Sequence, residues 1–121
     1  MKVLNCTPHQ IDIVDPKTAD FNPTMRKYTS ENPTILMTIP ASGIRLGVTY
    51  DIRTNMPIDG IPVKNKHLIG LDPVPDVDVA IVSGLYASAT TDPRVYSVID
   101  PVFTPDGKKV VGCLAIGKVV K

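Results

Sequence analysis

Short stretches of alternating apolar and polar residues run along most of this chain, and they predict strands. Between Asp76 and Thr91 the chain reads PDVDVAIVSGLYASAT. Val77, Val79 and Ile81 alternate with Asp78, Ala80 and Val82, the two-residue period of a strand. Ser83-Gly84 interrupts it, and Leu85 to Ala89 carries better helix formers, enough for one or two turns before Pro93. The same alternation recurs in Gln10–Asp15, with Ile11 and Ile13 facing inward and Gln10 and Asp12 outward. It recurs in Thr34–Pro40 and in Ile44–Tyr50, where Ile44, Leu46 and Val48 share one face and Arg45 takes the other. Lys2–Cys6 predicts an opening strand, Ile61–Leu71 a strand pair or one bent strand, and Tyr96–Ile99 a short strand. Lys108–Val120 is the longest apolar run, with both faces partly apolar, which places it in the middle of a sheet or packed on both sides.

Twelve prolines and eight glycines, spread along the chain, punctuate these segments and nearly exclude long helices. Pro8 has no N–H to give a ladder, so Thr7-Pro8-His9 predicts a kink or bulge at a sheet edge. Ala41-Ser42-Gly43 predicts a turn joining its two flanking strands as a hairpin or a sharp corner. Pro57 to Gly60 predicts a turn ending in glycine, and Asp106-Gly107 a hairpin turn. Residues 17–33 show no period and predict an excursion off the sheet, either a helical turn pinned by Phe21, Met25 and Tyr28 or a flexible flap. The fold class expected is mainly β (α+β): a small twisted mixed sheet, sandwich or partly closed barrel with one short helix, in a single domain spanning 1–121.

Length and charge narrow the partners. A chain of 121 residues has room for one modest core. Thirteen basic against twelve acidic residues leave a formal charge of +1, so no strong field gathers nucleic acid or an anionic membrane. No apolar run approaches the roughly 20 residues that span a bilayer, and MKVLNCTPHQ lacks a signal-peptide core. The expected setting is the cytosol, without membrane contact and without a direct nucleic-acid signal. Cys6 and Cys113 are too few for a disulfide scaffold or a zinc site of known spacing, so reduced thiols and no metal or cofactor are expected. Half-apolar strands have edges to cover. That predicts a homo-oligomer, most simply a two-fold dimer, with Val110–Val120 as the strand that pairs or packs across it.

Candidate chemistry lies where small polar motifs interrupt apolar strands. Thr7 and His9, Ser42, Gly43 and Arg45, and Ser83 and Gly84 combine hydroxyls, an imidazole, a guanidinium and backbone that a ligand approaches closely. Free N–H groups at the Ser83–Gly84 helix start favour an anion, and Tyr86 beside them offers a ring for stacking on a base. These eight residues are the expected ligand-binding set, in a pocket where the three segments meet. Each has an ordinary structural reading as well: a surface histidine, a solvated arginine, a plain turn, a core tyrosine. No GxSxG elbow, Walker A loop, GxGxxG or HExxH is present, and the aspartates fall in turns and strand edges without metal spacing. A thiol–imidazole pair of Cys6 or Cys113 with His9 or His67 is the one nucleophilic arrangement available. Cys113, in its apolar run, is expected to be inert. No catalytic residue is assigned.

The order of motifs carries a resemblance. LNCTPH at 4–9, PASG at 40–43, IVS at 81–83 before a small-residue helix, and DGKKVVGCL at 106–114 together resemble a family of small proteins found in phages and bacterial genomes. The matched positions are Thr7, Pro8, His9, Pro40, Ser42, Gly43, Val82, Ser83, Asp106, Gly107, Gly112 and Cys113. Residues 17–33 and 51–72 match no part of that pattern. The resemblance implies phage or prophage origin and no particular reaction. Phages encode compact proteins of this size that sequester nucleotide signals of host immunity. The expected function is therefore non-catalytic binding of a small phosphorylated ligand, such as a cyclic-nucleotide or ADP-ribose-type immune signal held by an anti-defence sponge. The alternatives are a structural or protein-interaction module of phage origin (a virion accessory or host-protein inhibitor) and a small enzyme acting on a nucleotide.

Overall fold

The computed structural model describes residues 1–120. Ten strands and one short helix follow one another in the order β1 (Val3–Asn5), β2 (Ile11–Val14), β3 (Asp20–Asn22), β4 (Lys27–Thr29), β5 (Ile35–Ile39), β6 (Val48–Ile58), β7 (Ile61–Leu71), β8 (Val79–Val82), α1 (Gly84–Ala89), β9 (Val95–Phe103) and β10 (Val110–Gly117). A one-turn 3₁₀ helix lies at Pro16–Thr18. The chain is mainly β with one short helix, as expected. Eight strands form a mixed sheet, six of them in the order β1-β8-β9-β10-β2-β5, with β4 joined to β9 and β3 to β4 off that path. β1, β8 and β9 run parallel, β10 is antiparallel to β9 and parallel to β2, and β5 is antiparallel to β2. The sheet curls until its two outer strands almost meet. An isolated parallel bridge joins Asn5 of β1 to Ala41, just past β5, and makes the sheet a nearly closed barrel.

β8 is the strand buried on both faces. Ala80, Ile81 and Val82 are all buried, so the alternation read in the sequence does not separate an inner from an outer face. Ala80 and Val82 join Cys6, Val77, Tyr86, Ala87 and Val95 in one cluster. Ile81 joins Ile11 and Cys113, with Val79, Ile13, Ile39 and Ile116 packed against them, in another. A parallel strand covered on both faces is apolar throughout. α1 lies on the first cluster. Ser83 caps it by accepting from the Tyr86 N–H at 3.4 Å.

Several expectations need correcting. Residues 20–29 form a hairpin, β3–β4, and not a helical turn. Phe21 and Tyr28 face each other across it, their rings 5.2 Å apart edge to face, so their spacing reflected cross-strand pairing. β4 then pairs with the far end of β9. The Ala41–Gly43 turn is a corner rather than a hairpin, because β5 pairs with β2 and the next strand begins only at Val48. Tyr96–Ile99 is part of one nine-residue strand that continues through Asp100-Pro101, with Asp100 at φ +52°. β10 has a neighbour on each edge, β9 and β2, so it offers no free edge to a second copy. Its two apolar faces are those of an interior strand.

The largest departure is β6–β7. The two eleven-residue strands pair only with each other and form a separate two-stranded ribbon. They turn at Asp59-Gly60, with φ +49° and +75°, between the paired residues Ile58 and Ile61. Two positive φ angles are those of a type I′ hairpin turn. The root is clamped where the Gly47 N–H donates to Asp72 Oδ2 at 2.7 Å and the Asp72 N–H to the Gly47 carbonyl at 3.1 Å. Val48 and Leu71 pack on the α1 cluster. Beyond Tyr50 every β6 residue is exposed.

The seam of the barrel rests on Asn5, which is 1% exposed. Its side-chain amide donates to the His9 carbonyl at 2.9 Å and the Ile39 carbonyl at 3.1 Å. Its Oδ1 accepts from the Thr7 N–H at 3.0 Å and the Thr7 hydroxyl at 2.6 Å. Replacing Asn5 by Ala would remove the side-chain partner of the Ile39 carbonyl and of the Thr7 N–H and leave the His9 carbonyl with the Thr7 hydroxyl alone. Asn5→Ala is expected to lower the unfolding free energy by about 2–4 kcal/mol in chemical denaturation. A loss below about 0.5 kcal/mol, within the range of ordinary surface substitutions, would show that the seam does not depend on this side chain.

Candidate functional site

Two of the three expected segments meet at Asn5. The chain leaves β1 after the Cys6 N–H donates to the Ile81 carbonyl at 2.8 Å, and then turns at Thr7-Pro8-His9. Asn5 Oδ1 accepting from the N–H two residues ahead is an Asx turn, which sets that corner locally. The Ser42 segment arrives from β5 on the other side. Its N–H (3.0 Å) and hydroxyl (2.7 Å) both donate to the Asn5 carbonyl, and Ser42 Oγ accepts from the Ile44 N–H at 3.2 Å. Gly43 follows at φ +84°, in the left-handed region where glycine is favoured. The Thr7–His9 corner and the Ser42–Gly43 turn are therefore two sides of one rim built on a single asparagine.

Ser83 and Gly84 follow β8, the strand beside β1. Because Asn5 pairs with Ile81 in parallel register, Thr7 and Ser83 leave the sheet at the same end of adjacent strands. Ser83, Gly84, Ser42, Gly43, Arg45 and His9 are exposed, and Thr7 is half-buried. Arg45 carries no hydrogen bond or ion pair among the described residues. Arg94, by contrast, is engaged: it chelates Asp92 at 3.0 and 2.7 Å and donates to the Pro75 carbonyl at 3.2 Å. The Arg94 hydrogen bonds hold the Asp92 carboxyl below its ordinary range.

Tyr86 does not fit the expected set. It is 1% exposed, its ring packs in the α1 cluster, and its hydroxyl donates to the Asp72 carbonyl at 2.5 Å. The ring cannot stack on a base from there. Burial, with the Asp92 and Asp72 carboxylates nearby, also pushes its hydroxyl pKa up. Its role is to tie α1 to the ribbon root.

His9 faces a second feature that the sequence reading did not assemble. A cleft of about 270 Å³ is lined by His9, Gln10, Ile11 and Asp12 of the β2 side and by Val98, Val110 and Gly112 of β9 and β10. Gly112 allows it: a Cβ there would stand 2.6 Å from the Asp12 carbonyl and 2.7 Å from Val14 Cγ2, so only glycine lets β10 approach β2. The Asp12 carboxylate accepts from the Thr38 hydroxyl at 2.7 Å and from Gln10 Nε2 at 3.2 Å. A mainly apolar cleft with a few convergent polar groups is the usual form of a small-molecule site. The sequence feature behind the cleft is Gly112, a residue without a side chain inside the apolar run of β10.

Both cysteines are free and buried. Burial pushes both thiols up; for Cys6 a hydrogen bond from Ser42 opposes this, and for Cys113 one from the Ala115 backbone does. Neither is poised as a nucleophile. Among the described residues no group of three or more His, Cys, Asp or Glu side chains stands close enough to hold a metal, and no helix is long and apolar enough to cross a membrane. No protein-family model, curated protein or solved structure matches the chain.

The thiols generate a prediction. A raised pKa means that the thiolate is scarcer in the folded than in the unfolded chain until the pH exceeds the folded value. Labelling of native Cys6 and Cys113 at pH 8 should be at least about ten-fold slower than in denaturant, and should accelerate only above the ordinary thiol range near 8.5. Rapid labelling of either at pH 7 in the folded protein would contradict this and revive the thiol–imidazole arrangement.

Proposed function

We propose that this protein is a non-catalytic binder of a small phosphorylated ligand, held at the rim formed by Thr7, His9, Ser42, Gly43 and Arg45, with Ser83 and Gly84 beside it. The observation that carries this reading is Arg45: an exposed guanidinium without a partner among the described residues, three residues from a hydroxyl turn anchored on buried Asn5. Thr7 and Ser42 spend their N–H and hydroxyl protons on Asn5 and so hold the rim rigid, and the donor left for phosphate oxygens is the free Arg45 fork beside them. The adjoining cleft at His9 and Gly112 takes the apolar body of such a ligand, in the place first given to Tyr86. The motif resemblance supplies the setting: a phage or prophage product in the host cytosol that sequesters a cyclic-nucleotide or ADP-ribose-type immune signal.

A structural or protein-interaction module is the second reading, and the exposed β6–β7 ribbon favours it. A small nucleotide-acting enzyme has least support, since both thiols are buried and shifted away from reactivity.

The test is calorimetry of the intact protein against cyclic nucleotides, cyclic dinucleotides and ADP-ribose derivatives, with recovery of the ligand after heat denaturation. Intact release is expected. Removing a hydrogen bond to a charged group costs about 1.5–3 kcal/mol, so Arg45→Ala should weaken binding by roughly ten- to a hundred-fold without changing the melting temperature of the free protein. Binding by Arg45→Ala and His9→Ala at parental affinity would remove the ligand from this rim. If no phosphorylated compound raises the melting temperature at millimolar concentration, the interaction reading replaces this one.

A further inference from the structure

The β6–β7 ribbon poses a physical problem that the ligand reading leaves untouched. A two-stranded hairpin standing alone in water is marginal, and three or more strands with an apolar face are needed for stability. This ribbon has eleven residues in each strand and no third strand among the described residues. It exposes Ile52 (59%), Met56 (80%), Ile58 (65%) and Ile61 (63%). Ile52 and Met56 continue outward the apolar stripe that begins in the core at Val48 and Leu71 and runs through the cross-strand pair Tyr50 and Leu68, while Ile58 and Ile61, beyond the register shift after Asn55, lie on the opposite face at the tip.

The two free edges differ in what they would accept. β7 carries Pro62, which cannot donate, and Lys64 and Lys66 flanking Asn65. Proline and lysine on an edge are devices against strand addition, and a two-fold pairing of β7 centred on Asn65 would set Lys64 against the partner's Lys66. β6 is different. Asp51 and Arg53 flank Ile52 and form an exposed ion pair at 2.9 Å within one chain.

We propose that β6 is a homodimerisation edge, pairing antiparallel with β6 of a second copy about a two-fold axis at Ile52, so that two ribbons become one four-stranded sheet. In that register Ile52 meets the partner's Ile52, and Asp51 faces the partner's Arg53 while Arg53 faces the partner's Asp51. Val48 and Met56 pair across the axis in the same way. The four charges alternate in sign, and opposite charges directly across a ladder are favourable. Shifting the axis by one residue either way places Asp51 or Arg53 on its own copy, which is unfavourable, so the charges select one register. The ladder spans Val48 to Met56, nine residues or about 30 Å, and stops before Pro57, the first β6 residue without an N–H. A two-fold contact of this kind is closed and self-complementary.

Sedimentation equilibrium of the full chain tests this, with melting temperatures confirming the fold of each variant. The parent should be a dimer at tens of micromolar. Asp51→Arg alone and Arg53→Asp alone each set like charges across the axis, and each should raise the dimer dissociation constant by about ten-fold or more. An equimolar mixture of these two variants should dimerise again, because each then meets the opposite charge. Residues directly across an antiparallel ladder have Cα atoms about 4.5–5.5 Å apart, within disulfide range. The Ile52→Cys variant should therefore cross-link to a covalent dimer on mild oxidation, while buried Cys6 and Cys113 do not. A monomeric parent at high micromolar concentration would overturn the proposal. So would single charge variants that dimerise like the parent, or an Ile52→Cys dimer that fails to cross-link.

Discussion

A single buried asparagine draws together the two outer strands of this nearly closed barrel. Asn5 lies at the last position of β1, where the mixed sheet curls round to meet the end of β5, and every hydrogen-bonding valence of its side-chain amide is used. A buried polar side chain is tolerable only when fully paired, so Asn5 fixes three backbone segments at once. Its amide holds the Ile39 and His9 carbonyls, its Oδ1 shapes the Thr7 corner, and its own carbonyl receives Ser42. The constraint that closes the sheet is therefore the one that assembles the candidate rim.

The rest of the body follows from β8 beside it. With Ala80 and Val82 on one side and Ile81 on the other, β8 divides the core into an α1 cluster and a barrel cluster. α1 is short, but its buried Tyr86 reaches the Asp72 carbonyl, and Asp72 in turn clamps Gly47. This chain of contacts joins the helix to the ribbon root. Among the described residues the two ribbon strands pair with no other strand, and beyond Tyr50 the edges and apolar residues of β6 stay exposed.

Local signals in the sequence identified what local physics decides. The Ser83-capped helix, the Asp106-Gly107 turn with Gly107 at φ +73°, the kink at Thr7-Pro8-His9 and the interior character of β10 were all legible. What was not legible needed a partner distant in sequence. Phe21 and Tyr28 are seven apart, a spacing equally suited to a helix face and to a tight hairpin, and only pairing with β9 chooses the hairpin. β6 and β7 lie in solvent beyond their roots, so no buried face imposes alternation on their side chains, and strand periodicity fades where the strands are longest. The candidate site was half legible. Small polar motifs marked Thr7, His9, Ser42 and Ser83. Asn5 passed unnoticed, although an asparagine ending a strand two residues before a Thr-Pro is an Asx-turn signal. Tyr86 was misplaced because a six-residue helix with one aromatic shows no sequence sign of which side it buries.

Asn5 holds the two ends of the nearly closed barrel together, and the same bonds preform the rim. Amide hydrogen exchange followed by NMR reads this at single residues. The Cys6, Thr7 and Ser42 N–H groups, donating to the Ile81 carbonyl, Asn5 Oδ1 and the Asn5 carbonyl, should exchange slowly and open together with β1 and β5, on a common free energy. If Cys6 stays protected while Thr7 and Ser42 exchange as fast as exposed loops, the seam is open in solution and the rim is not preformed.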